Sequence, residues 1–118
     1  MSRGRDLPDA VDLVVSAIED AKGTKLLVLD LRGLSDAADY FVIASGTSDA
    51  HVRGIAHRVV DTLYEEGMKV RHVEGLPAGR WVLLDVADII VHLFHPETRA
   101  FYRLERLWQD APALLTHA

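Results

Sequence analysis

The sequence predicts a single α/β domain in which a mixed sheet of about five strands is flanked by helices. Three segments carry apolar residues at helical spacing, and short apolar runs typical of strands lie between them, in the order αββαβββα. The chain has 118 residues, of which 49% are apolar and 26% charged, and it contains no cysteine. A chain of this length can bury a core without disulfides or metals.

The first half of the chain supplies two helices and two strands. A first helix is predicted over residues 9–22, with its acidic residues, Asp9, Asp12, Glu19 and Asp20, on the outer face. Residues 25–31 are apolar enough for a central strand, and residues 40–45 form the second strand. A second helix follows over residues 49–66, and Gly67 ends it.

The second half supplies three strands and a third helix. Residues 68–73 predict a short strand near an edge, and residues 80–86 and 89–94 are separated only by Ala87-Asp88, which predicts an antiparallel hairpin. A third helix is predicted from Pro96 to about Trp108. The crossover through the second helix predicts that the second and third strands pair in parallel. We expect a flexible N-terminus over 1–8, the domain over 9–110 and a C-terminal tail over 111–118.

Composition excludes several classes of function. The formal net charge is −5 and the thirteen basic residues are dispersed, so nucleic acid should repel the protein as a whole. A function near RNA would therefore involve contact with a basic protein. No apolar run approaches the ~20 residues that span a membrane, and the N-terminus lacks the apolar core of a signal peptide. We expect a cytoplasmic protein.

The turn Gly46-Thr47-Ser48 lies between a strand and a helix, where free N–H groups can bind a phosphate. Nucleotidyltransferases use such a turn together with paired carboxylates that hold metal ions. Asp85 and Asp88 are the nearest candidates, but they flank a turn and strand alternation does not pair them. We therefore favour Ser48 or Thr47 as the cap of the second helix, and a nucleotidyltransferase using Ser48, Asp85 and Asp88 stays as the enzymatic alternative.

No other constellation predicts catalysis, a cofactor or a metal site. His92 and His95 are three residues apart on a strand and so lie on opposite faces, and His51 and His57 diverge around their helix. No nucleophile elbow or Walker loop is present. We predict a protein that is not an enzyme.

The strand at residues 80–86 suggests a protein interface. Alternation places Trp81, Leu83 and Asp85 on one face and the apolar residues Val82, Leu84 and Val86 on the other. A large aromatic residue exposed on a rigid sheet is typical of an interface anchor. The alternative, in which Trp81 packs under the third helix with Phe101 or Trp108, stands equally on the sequence.

These segments together resemble the ribosomal silencing factor family (RsfS, also called Iojap). The resemblance covers about residues 12–110, and its matching stretches are residues 39–48, 51–53, 73–75, 79–85, 88–96 and 104–108. It implies a nucleotidyltransferase-like fold that lacks the catalytic carboxylates, in agreement with the missing pair.

The resemblance also implies a partner and a mechanism. Family members dock on the large ribosomal subunit through ribosomal protein number fourteen and sterically block the small subunit, which lowers translation when nutrients are short. Trp81 corresponds to the family's interface tryptophan, and we add Leu83, Asp85 and His92 as candidate contacts. Asp85 could instead satisfy the hairpin turn, and His92 could be a buried strand residue. The resemblance also implies a homodimer when the protein is free, and a large-subunit assembly factor is a further alternative.

Overall fold

A mixed six-stranded sheet forms the centre of the protein. The computed structural model describes residues 6–102 and 109–117, with residues 100–102 described only by their backbone. The elements in chain order are α1 (Asp9–Asp20), β1 (Thr24–Asp30), β2 (Tyr40–Ser45), α2 (Asp49–Glu65), β3 (His72–Glu74), β4 (Trp81–Val86), β5 (Ile89–Phe94), α3 (Pro96–Tyr102) and β6 (Ala113–Thr116). The predicted α/β class with a mixed sheet is confirmed.

The strands lie in the order β3-β4-β5-β2-β1-β6. β2 pairs in parallel with β5, and the other neighbouring pairs are antiparallel. All six residues of β2 are buried, because β2 lies inside the sheet and both its faces are covered. β4 and β5 form the predicted hairpin around Ala87-Asp88.

The predicted parallel pairing of the second and third strands is wrong. β3 runs in the same direction as β2, but β4 and β5 lie between them. The reason is apolar content: the hairpin is largely buried and takes the interior positions, whereas all three residues of β3 are exposed. β3 therefore lies at the edge, as expected for a short mixed strand.

The sheet has a sixth strand where the sequence predicted a C-terminal tail. β6 pairs with β1, and it is fixed at both ends by backbone hydrogen bonds from Asp30 N to Pro112 O (2.9 Å) and from His117 N to Leu26 O (2.8 Å). The strand satisfies the outer edge of β1, whose donors and acceptors would otherwise lack a strand partner. Its four residues are too few to show a periodic pattern.

Helices α1 and α2 pack on one face of the sheet, which we call the helix face. The large core there includes Leu7, from the segment expected to be flexible, whereas residues 1–5 lie outside the described part. Asp12 was predicted to face outward, but it is 1% exposed. Since α1 packs against α2 as well as the sheet, its buried arc is wider than its apolar stripe.

The opposite face of the sheet, which we call the second face, carries a smaller buried cluster. Its members are Leu29, Leu31, Ala38, Phe41, Ile43 and Phe94, with partly buried Leu27, Trp81, Ile90 and Ala111 packed against it. At one end of this face, Arg99 of α3 donates to Ser45 Oγ (3.1 Å) and to Lys25 O (2.6 Å). These contacts attach α3 to β2 and to the start of β1. The predicted continuation of the helix to Trp108 lies outside the described residues.

Candidate protein interface

The predicted division of β4 between the two faces is confirmed. Val82, Leu84 and Val86 are buried in the core beneath the helices, whereas Trp81, Leu83 and Asp85 are half-buried on the second face. Strand alternation alone accounts for this division. The side chains of Phe101 and Trp108, the alternative packing partners of Trp81, lie outside the description.

Trp81 lies on a stack of buried rings. Its indole packs against Phe94, with ring centres 5.2 Å apart and planes inclined by 24°. Its Nε1–H donates a hydrogen bond to Nδ1 of His92 (3.1 Å). One edge of the ring is therefore fixed by a polar contact and one face by stacking, a combination that limits its side-chain motion.

His92 lies beneath this surface, with 4% of its area exposed. Its ring meets Phe41 edge-on, with centres 4.7 Å apart. Burial lowers the pKa of His92 from 6.5 to about 4, because the cationic form cannot be hydrated there. The alternative interpretation of His92, a buried and hydrogen-bonded strand residue, matches this placement, and a direct contact with a partner does not.

Asp85 contacts β3 and Arg71, the residue that precedes β3. Arg71 Nη2 donates to Asp85 Oδ1 (2.9 Å) and also to Ala87 O, and Arg71 N donates to Asp85 O (2.8 Å). Arg71 thus links the Asp85 carboxylate to the hairpin turn at Ala87. Its side chain remains about a third exposed (35%), so the pair lies at the rim of the surface.

The structure adds residues that sequence reasoning missed. The register of β3 on β4 places Glu74 beside Leu83 and His72 beside Asp85. Nε2 of His72 lies 3.4 Å from Oε1 of Glu74. Ile90 of β5 pairs with Asp85 on the same face. We call the group Trp81, Leu83, Asp85, Ile90, His72 and Glu74 the β4 surface. Finding it needed the β3–β4 register, for which the sequence gives no signal.

The turn that precedes Trp81 is held against the start of α2. Gly79 has φ +71°, and a Cβ there would lie 2.5 Å from Asp49 O. Arg53 of α2 reaches Pro77 O and Ala78 O, both at 3.4 Å. Arg80 lies 3.5 Å from Asp49 and donates to Glu97 (3.1 Å). These contacts fix the point where β4 begins.

The Gly46-Thr47-Ser48 turn is a helix cap in which the Gly46, Thr47 and His51 N–H groups have acceptors. Ser48 Oγ accepts a hydrogen bond from His51 N (3.0 Å), which confirms Ser48 as the cap of α2. Thr47 N donates to Nδ1 of His51 (2.8 Å), and Nε2 of the same ring lies 2.7 Å from Ala21 O. A neutral imidazole with its proton on Nε2 satisfies both contacts. This ring takes the Thr47 donor that a phosphate would need.

The residues of the enzymatic alternative do not come together. Ser48 follows the end of β2, where Gly46 N bonds to Phe94 O, whereas Asp88 O accepts from Asp39 N and Tyr40 N at the start of β2. The length of β2, about 17 Å, separates these ends. Among residues 6–99 and 109–117, no three His, Asp or Glu side chains group as metal ligands. No helix in the described chain is long and apolar enough to cross a membrane.

Comparison with known proteins identifies the family. The family model described as "Ribosomal silencing factor during starvation" matches residues 5–117. The chain belongs to the ribosomal silencing factor family. The ribosomal silencing factor RsfS of Halalkalibacterium halodurans is 40% identical, over 90% of this chain and 91% of that protein.

Two further proteins extend the family comparison. A crystal structure of a Chromobacterium violaceum protein has a TM-score of 0.84 and 34% identity, covering 86% of this chain and 84% of that one. A mouse protein named "Mitochondrial assembly of ribosomal large subunit protein 1" is 34% identical over 83% of this chain and 44% of its own length. Membership in the silencing factor family implies ribosome-associated regulation of translation.

Proposed function

We propose that this silencing factor binds the large ribosomal subunit through ribosomal protein number fourteen and sterically blocks the small subunit from joining. Translation would then fall when nutrients are limiting. The observation that carries the proposal is the β4 surface, where a half-buried tryptophan is held by stacking and by a hydrogen bond. A repressor of this kind acts by covering a surface of the large subunit and needs no catalytic residues.

The proposed contacts are Trp81 as anchor, with Leu83 and Asp85 beside it. Aromatic residues in well-packed positions contribute most to interface affinity, and the surrounding contacts exclude water. Asp85 and Glu74 add acidic groups to a chain of net charge −5, which suits a basic ribosomal protein and speeds association. His92 would act from beneath Trp81, because it is buried.

The anchor must contribute to an interface large enough to exclude the small subunit. Stable interfaces bury about 1,600 Å² in total, and smaller ones depend on a few strong anchors. The half-buried strip of β4 is narrow, and β3 and Ile90 widen it on either side. We propose that the free protein is a homodimer and that it acts in the cytoplasm.

Binding to the isolated partner tests the proposal. The full chain is immobilised and exposed to purified large subunits, purified small subunits and ribosomal protein number fourteen alone. We expect saturable binding to the large subunit and to the ribosomal protein, and none to the small subunit. Binding to large subunits that lack the ribosomal protein, at undiminished affinity, would contradict the proposed partner.

A role in large-subunit assembly is the second candidate, and the name of the mouse relative favours it. An assembly factor would bind immature particles more tightly than mature large subunits. Competition between the two particle types for the labelled chain separates the candidates. Equal or tighter binding to mature subunits supports the silencing role.

The nucleotidyltransferase alternative requires a nucleotide site at Ser48. Titration calorimetry with a nucleoside triphosphate and magnesium measures this directly. We expect no saturable heat, because His51 already takes the Thr47 N–H and the two aspartates lie at the far end of the sheet. Saturable binding would revive the enzyme.

A further inference from the structure

We propose that His92 is a positioning residue whose neutral ring fixes the orientation of the Trp81 indole on the β4 surface. The inference rests on the proposed function, since it concerns the anchor of the proposed interface. It assigns to a buried histidine a role in docking that acts entirely through its neighbour.

The hydrogen bond between the two rings determines the protonation of His92. Indole Nε1 can only donate, so His92 Nδ1 must be the acceptor of the 3.1 Å contact. Nδ1 is then unprotonated and the proton of the neutral ring is on Nε2. A proton on Nδ1 would place two donors face to face and remove this hydrogen bond between the rings.

Packing holds the histidine in the position that this contact requires. Phe41 meets the imidazole edge-on, with centres 4.7 Å apart, and Phe94 stacks with both the imidazole and the indole. His92 Nε2 is buried and has no hydrogen-bond partner among the described residues. Leaving a donor unsatisfied is costly in a core. An apolar residue would avoid that cost, so the imidazole at this position indicates a use for its other nitrogen.

The charged groups on this face are directed elsewhere. Asp85 of β4 binds Arg71, and Glu74 and His72 of β3 lie one strand beyond and pair with each other. On β2 the facing residues are Phe41, Ile43 and Ser45, and Arg99 of α3 binds Ser45. No described carboxylate contacts His92 to favour its cation. Burial therefore keeps the ring neutral near pH 7, with a pKa of about 4, and the acceptor is permanent there.

Orientation matters because an anchor that is already ordered loses less entropy on binding. Without the acceptor, the indole N–H would need another partner, and the ring would sample other rotamers. We expect affinity for the large subunit to fall at least tenfold when the acceptor is removed, with no change in the identity of the partner.

Nitrogen NMR on the wild-type protein tests the geometry without any ribosome. Near neutral pH we expect the shifts of an unprotonated Nδ1 and a protonated Nε2 for His92. As the ring is acidified, the indole N–H signal of Trp81 should shift with the same midpoint as the His92 nitrogen signals. A proton on Nδ1 near neutral pH would overturn the proposal, and so would a Trp81 indole shift that stays constant while His92 titrates.

A matched pair of variants tests the consequence for binding. His92→Asn and His92→Leu leave similar voids, but only asparagine offers an acceptor near the position of Nδ1. We expect His92→Asn to bind the large subunit at least fivefold more tightly than His92→Leu, with matching circular dichroism. Equal binding by two folded variants would refute the positioning role, and should either fail to fold, the NMR measurement decides. Undiminished binding by Trp81→Ala would instead refute the proposed interface.

Discussion

Trp81 and Tyr64 are both aromatic residues at the surface, but their surroundings differ. Trp81 is half-buried on the second face and stacked on Phe94, whereas Tyr64 of α2 is 77% exposed and lies on the other side of the sheet. Both side chains offer apolar area, but Trp81 is held by stacking and by its hydrogen bond to His92, whereas most of Tyr64 lies in solvent. A preorganised ring loses little freedom on binding, so Trp81 is the better anchor.

Truncation of Trp81 should therefore weaken docking without unfolding the protein. We expect Trp81→Ala to lose more than about 2 kcal/mol of binding free energy toward the large subunit, as measured by equilibrium affinity. Tyr64→Ala is the matched control and should bind like the wild type. Retention of full affinity by Trp81→Ala would refute its assignment as anchor.

His92 should make stability depend on pH. The folded protein lowers its pKa from 6.5 to about 4, so the unfolded chain binds a proton that the folded chain does not. The associated stability is present above pH 6.5 and is lost as the pH falls toward 4. Between about pH 7 and pH 5 we expect the wild type to lose about 2 kcal/mol more unfolding free energy than His92→Asn.

Urea denaturation at the two pH values measures this difference. His57→Asn, which removes an exposed histidine of α2, should follow the wild type. An identical pH dependence in wild type and His92→Asn would show that His92 does not remain neutral in the folded state.

At the scale of elements, the turn of residues 75–79 sets where β4 begins. Gly79 and Gly67 both have positive φ, +71° and +78°, but they differ in their surroundings. A Cβ added at Gly79 would lie 2.5 Å from Asp49 O. A Cβ added at Gly67 would have no surrounding atom of the described residues within 4 Å. The first glycine therefore permits close approach to α2, and the second only ends the helix.

Alanine at each position separates these two roles. We expect Gly67→Ala to cost about 1 kcal/mol of unfolding free energy from backbone conformation alone, and Gly79→Ala to cost at least twice as much. Thermal or urea unfolding measures both. Equal costs would mean that the turn can move away from α2 without penalty.

The cap of α2 makes a separate contribution. Ser48 Oγ satisfies His51 N, so we expect Ser48→Ala to lower the unfolding free energy by about 1 kcal/mol. Ser48→Asp keeps an acceptor and adds charge that suits the helix N-terminus, so it should remain close to the wild type. An unfolding free energy of Ser48→Ala equal to that of the wild type would show that the cap contributes nothing to stability.

Local elements and the β4–β5 hairpin could be predicted from the sequence, whereas the order of the strands across the sheet could not. The β4–β5 hairpin and the two faces of β4 follow from a two-residue turn and from alternation, both of which act over a few residues. The insertion of that hairpin between β2 and β3 depends on competition for buried positions across the whole sheet. For the same reason, the sequence does not predict that His72 and Glu74 of β3 belong to the β4 surface.

Site residues divided in the same way. Strand alternation predicts that Trp81 and Val82 lie on opposite faces of the sheet. The burial of His92 does not follow from the sequence, because it depends on the rings of Phe41 and Phe94, which lie on separate strands. Asp85 was recognised as either a contact or a turn residue, and its pairing with Arg71 required the β3–β4 register.

At the scale of the whole molecule, we propose that a folded surface regulates translation by occupying its partner, without catalysing a reaction. The acidic chain suits a basic protein on the ribosome, and the β4 surface supplies a rigid anchor. A molecule that works in this way must act in proportion to its binding. Under this proposal its effect depends on the fraction of large subunits that it occupies, and not on catalytic turnover.

Sedimentation of purified large and small subunits with added protein tests this claim most directly. We expect the wild type to shift joined ribosomes toward free subunits, with the protein co-migrating with the large subunit, and Trp81→Ala to leave joining intact. Full joining of subunits in the presence of saturating wild-type protein would contradict the account.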